Sequence, residues 1–109
     1  MIKLNLVVIR TENIEKIVQW YSETFNLNFV PEKHEDGILH YSAQLDEGLI
    51  EVYPSKKSSN KITFGMATDK LTFEKITLNQ NSKFIDKNIV LIKDFDENSI
   101  IVSLFQQTS

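Results

Sequence analysis

A chain of 109 residues is long enough for one compact domain with its own core, without a disulfide or metal staple. Hydrophobic residues at 41%, charged residues at 25% and only three glycines and two prolines exclude a disordered or low-complexity chain. The absence of cysteine excludes a disulfide framework, a thiolate metal site and a cysteine nucleophile, and a net charge of −3 disfavours nucleic acid as a partner.

The opening MIKLNLVVIR is apolar for only a few residues before Arg10, too short for a signal peptide or a membrane span. A cytoplasmic protein with no membrane partner is expected. Residues 2–10 form a short apolar run, the pattern of a strand buried on both faces. In TENIEKIVQWYSETFNL, the residues Ile14, Ile17, Val18, Tyr21 and Phe25 make one helical stripe. Thr11 or Asn13 can cap its start, Glu15 complements the helix dipole, and Asn26 is a left-handed stop. Trp20 is expected in the core.

Residues 28–35 read as a strand made irregular or peripheral by Pro31, followed by an Asp36-Gly37 turn. ILHYSAQL and LIEVY alternate around DEG, the pattern of a hairpin. Residues 55–60 are polar and without period, a linker. After it the order restarts: a strand at 61–68, a short or poor helix at 69–81 with Leu71, Phe73, Ile76 and Leu78, one strand or two at 83–95, and a closing strand at 99–107. The chain therefore divides into module 1 at 1–54 and module 2 at 61–109, each βαβββ. Two such units can curl into a half-open barrel, helices outside and a concave cavity inside, an α+β fold.

The hairpin register decides which side chains face that cavity. A turn at Glu47-Gly48 sets Leu45 opposite Ile50 and Ala43 opposite Val52. Tyr41, Ala43, Leu45, Ile50 and Val52 then share an apolar face; His40, Ser42, Gln44, Glu51 and Tyr53, with Leu49, share the other. A three-residue turn mixes the sets. Because a one-residue slip flips every side chain, the apolar pattern selects the first register. Periodicity alone also admits an ordinary solvent-facing strand face with scattered polar groups.

NLVVIRTENIEKIVQWYSETFNLNFV resembles the opening of the vicinal-oxygen-chelate proteins, which include glyoxalase I, bleomycin-resistance and fosfomycin-resistance proteins and extradiol dioxygenases. In that family a strand leads to a D/N-ϕ-E-K-S-ϕ-x-F-Y helix and then LGL-x-F. Here those positions are Asn13-Ile14-Glu15-Lys16, Trp20-Tyr21 and Asn26-Leu27-Asn28-Phe29. EKHEDGILHYSAQL…LIEVYP resembles an uncharacterised bacterial branch with EKHGxGPxHYA…ELYP. The closing KDFDENSIIVSLFQ resembles xDPDGNxIELxQ, with Phe95 for Pro and Glu97 for Gly.

The resemblance implies the glyoxalase/bleomycin-resistance/dioxygenase fold. Metal-dependent members place ligands on four strands. Carried over singly, the first-strand His or Gln falls on Leu6, or on Asn5 if the alignment slips. The fourth-strand Glu falls on Glu51. The fifth-strand His falls near Lys61 to Thr63, and the eighth-strand Glu on Ile101 or Val102. Glu51 is the only match, so no catalytic metal is expected: such a site needs three or more protein ligands. His40 could add a second ligand and His34 a third, which keeps a divalent metal as the minority reading.

Three functions follow. The first is a glyoxalase/bleomycin-resistance-like protein that binds a small molecule without a catalytic metal, through Glu51, Tyr53, His40, Ser42 and Gln44. Metal-free bleomycin-resistance relatives form dimers and sequester a cationic drug in an acidic, aromatic groove, and the resemblance implies a homodimer here. The second is a glyoxalase I-like lyase or isomerase with Glu51 and His40 as metal ligands or as acid and base. The third is a non-catalytic interaction domain whose cavity is filled around Leu6, Ile101 and Val102.

Overall fold

A computed structural model describes residues 1–34, 37–57 and 60–105. Asp36 of the expected turn, residues 58 and 59 of the linker, and the chain beyond residue 105 lie outside the described residues. The chain forms two compact units, Met1–Asn60 and Lys61–Ser109.

In the first unit, β1 (Leu6–Thr11) is followed by α1 (Ile14–Phe25), β2 (Phe29–Glu32), β3 (His40–Leu45) and β4 (Gly48–Pro54). The sheet order is β1-β4-β3-β2, with β1 parallel to β4 and the other pairs antiparallel. Thr11 is buried, and its hydroxyl accepts the Asn13 N–H at the helix start. Asn26 ends the helix at φ 54°, where its N–H bonds the Ser22 carbonyl. Ile17, Tyr21 and Phe25 are buried, as are Ile9, Ala43, Ile50 and Val52 of the sheet. Trp20 is only half-buried and stands edge-on to Tyr21 and Phe25, on the flank of the core rather than within it.

β1 differs from its sequence reading. Ile9 and Thr11 are buried, while Leu6 is 42% exposed and Arg10 is exposed. The strand is the end member of its sheet and alternates, so only one face joins the helix-covered core. Pro31 sits in β2, at the other end, where a missing backbone donor is tolerated.

The hairpin register also differs, by two residues. Leu45 pairs with Gly48 and Ala43 with Ile50, so the turn is Asp46-Glu47. Gly48 opens β4 rather than making the turn, and its φ is not positive. The backbone of Asn5 lies against it: a Cβ on Gly48 would stand 2.7 Å from the Asn5 carbonyl oxygen, which accepts the Leu49 N–H. A shift of two preserves parity, so the same residues share each face.

The second unit runs β5 (Thr63–Thr68), α2 (Lys70–Asn79), β6 (Lys83–Asp86), β7 (Ile89–Lys93) and β8 (Ser99–Leu104), in sheet order β5-β8-β7-β6. Residues 83–95 thus contain two strands. The Asp69 carboxylate caps α2 by accepting the Thr72 N–H. Only Phe73 and Ile76 of its expected stripe are buried; Leu71 and Leu78 are exposed. Their burial joins that of Val90, Ile92, Ile100 and Val102. Between β7 and β8 the buried Asp94 carboxylate accepts the N–H groups of Asp96 and Asn98 and the Asn98 side-chain amide. Asn98 Oδ1 in turn accepts the Ile62 N–H.

Candidate functional site

The polar face of the first sheet is ordered in rows across its strands. Arg10 pairs with Tyr53 and Glu32 with His40, while Val8 pairs with Glu51 and Glu51 with Ser42. The Arg10 guanidinium carbon is 5.5 Å from the centre of the Tyr53 ring. Tyr53 stacks on His40, with ring centres 4.2 Å apart and planes 8° from parallel. His34, just after β2, lies over His40 with ring centres 5.2 Å apart.

His40 is fully buried. Its Nδ1 is 3.0 Å from the Ile38 carbonyl oxygen. A carbonyl only accepts, so Nδ1 carries a proton; in the neutral form of such a ring Nε2 presents a lone pair. That Nε2 is buried and makes no hydrogen bond. Carboxylate oxygens of Glu32 and Glu51 each stand 3.4 Å from it. His34 Nε2 is 3.9 Å from the same Glu32 oxygen. Three acceptors converging on one point repel one another unless a proton or cation lies among them.

Of the residues singled out in the sequence, His40, Glu51 and Tyr53 come together, with the buried Ser42 in the cross-strand position beside Glu51. Gln44 does not join them. It is exposed, four residues along β3 or about 13 Å from His40, and its amide bonds the Leu45 and Gly48 carbonyls at the hairpin end. Glu32 and Arg10 escaped the sequence reading. The E-x-H spacing of Glu32 and His34 was visible, but the register between β2 and β3 depends on the connection between them, whose length does not reveal its path.

The four-strand metal set of glyoxalase I does not fit this chain. On the Glu51 face of β1 stand Leu6 and Val8, whose side chains offer no ligand atom, and Asn5 precedes the strand. Residues 61–63 and 101–102 contain neither histidine nor carboxylate. Ile101 is half-buried, while Val102 is fully buried with the α2-side core of its own unit.

Two βαβββ units in tandem, each a mixed sheet with one helix, define the glyoxalase/bleomycin-resistance/dioxygenase class of fold. Neither a protein-family model nor a curated protein sequence matches the chain. Solved structures do. A protein from the mobile metagenome of V. Pseudocholerae is similar at 14% identity and a TM-score of 0.76, over 98% of this chain and 97% of that one. TnmS3, an antibiotic binding protein from Streptomyces sp. CB03234, is similar at 11% identity and a TM-score of 0.75, over 97% and 98%. Lactoylglutathione lyase from Agrobacterium tumefaciens is similar at 12% identity and a TM-score of 0.70, over 94% and 92%. These likenesses establish the fold. Among the described residues no helix is long and apolar enough to cross a membrane.

Proposed function

We propose that the protein binds a small organic molecule on the polar face of its first sheet, without the metal centre of glyoxalase I. The observation that carries this is the parallel Tyr53–His40 stack beside Glu51, whose side chain is 13% exposed. The half-buried Tyr53 ring, held against the buried His40, offers apolar contact, the Ser42 hydroxyl can donate or accept, and the Glu32 and Glu51 carboxylates favour a cationic or hydrogen-donating partner. The shared fold of an antibiotic binding protein supports the same reading.

A thermal-shift screen of cationic and planar small molecules, run with chelator present, tests it. A hit raises the melting temperature by mass action. Glu51→Gln keeps the shape and removes the charge, and is expected to weaken a cationic hit at least tenfold. A screen without hits, or hits that Glu51→Gln leaves unchanged, rejects the reading. We also propose a homodimer. Sedimentation equilibrium then gives twice the chain mass of 12.6 kDa, and a result of 12.6 kDa rules it out.

A further inference from the structure

We propose that Glu32, His34 and His40, with Glu51 beside them, bind one divalent transition-metal cation of the zinc type, at a site built wholly within the first unit. The Glu32 carboxylate and the two imidazoles each offer a ligand atom, and these atoms lie within 4.8 Å of one another. Glu51 adds a further oxygen 3.4 Å from His40 Nε2. This set is not the four-strand set tested above: its ligands come from β2, the residue pair after it, β3 and β4.

Four features point to a cation rather than to a surface cluster of charges. The first is the buried Nε2 of His40, which neither carboxylate satisfies by a hydrogen bond. Leaving such an atom unpartnered costs about 1–3 kcal/mol. The second is the tautomer. The Ile38 carbonyl accepts the Nδ1–H and fixes the ring with Nε2 toward the carboxylates, the way metal-bound neutral imidazoles are oriented.

The third is spacing. Ligands about 2.0–2.1 Å from a tetrahedral centre stand roughly 3.4 Å from one another, and both carboxylate oxygens are 3.4 Å from Nε2. The fourth is charge and support. Two carboxylates balance a divalent ion, and three of the four side chains project from paired strands. His34 is exposed, which leaves the ion a path in and a position open to solvent or a further ligand. Two imidazoles with carboxylate suit zinc, cobalt, nickel or iron(II) better than calcium or magnesium.

The test uses the whole chain, purified without a histidine tag, stripped with chelator and dialysed. Zn²⁺ is titrated by calorimetry and Co²⁺ by visible absorption, with no organic molecule present. This site does not depend on the binding of one, so the two proposals can fail separately. One equivalent of Zn²⁺ is expected to bind, and Co²⁺ to show the intense bands of a four- or five-coordinate ion. His40→Ala removes binding, and Glu32→Gln and His34→Ala each weaken it at least tenfold. Glu32 and His34 are not buried, so those two variants keep the test valid if His40→Ala fails to fold. Binding below a tenth of an equivalent overturns the proposal, as would happen if Nε2 is satisfied by a proton or a water instead. Equal affinity in Glu32→Gln, His34→Ala and the parent protein overturns it too.

Discussion

Two exposed residues test how local chemistry shapes this chain. Glu97 has φ 66°, in the left-handed region where an L side chain is strained, and it occupies the position of Gly in the motif DPDGN. Its carboxylate bonds Lys61, an exposed pair of small worth. Relief of strain outweighs that loss, so Glu97→Gly is expected to raise the melting temperature by a few degrees, read by calorimetry. Asp69 illustrates a charge effect. The hydrogen bond from the Thr72 N–H is the main cause that holds its carboxyl below the ordinary range. A carboxyl lowered by folding stabilises the native state above its ordinary pKa and loses that effect as pH falls through the folded value. The stability advantage of the parent protein over Asp69→Asn is therefore expected to shrink as pH is taken from neutral toward about 3, measured by urea unfolding at each pH. Glu97 was legible as a residue standing in a glycine position, and Asp69 only as the first residue of a poor helix. The convergence on His40 was not, because it joins residues from three strands.

Between elements, close approach decides more than propensity. Gly48 reads as a turn residue beside DE, yet it is needed for the backbone of Asn5. Gly48→Ala forces a Cβ into that carbonyl and is expected to cost about 2 kcal/mol, read from the urea midpoint at unchanged slope. A turn-only role for Gly48 predicts almost no loss. The error of two residues in the expected hairpin register did no harm to the site, since strand faces repeat every two residues. The stripe of α2 was less legible. Leu71 and Leu78 look like core partners of Phe73 and Ile76, but they fall off the 3.6-residue face and stay exposed. β6 is an end strand whose four residues are all exposed, with a register irregularity between Phe84 and Asp86. Its amides are expected to exchange with deuterium well before those of the central strand β8.

Across the whole molecule, each unit carries its own helix-covered core. Ile17, Tyr21, Phe25, Ile50 and Val52 serve the first, and Phe73, Ile76, Ile100 and Val102 the second. Ile76→Ala is expected to cost about 2–5 kcal/mol, and native-state hydrogen exchange should speed up in β5 to β8 more than in β1 to β4. Uniform acceleration over both units would contradict separate cores. The sequence by itself determined the repeated βαβββ order, the first helix with its Asn26 stop, and the division of the hairpin into apolar and polar faces. These follow from local periodicity and turn chemistry, which nearby residues encode. Only the tertiary structure decided that β1 is buried on one face, that Gly48 yields to Asn5, and that Glu32, His34 and Glu51 converge on the unpaired nitrogen of His40. Those depend on register between strands joined by irregular chain, and strand pairing is a long-range property that no short window of residues contains.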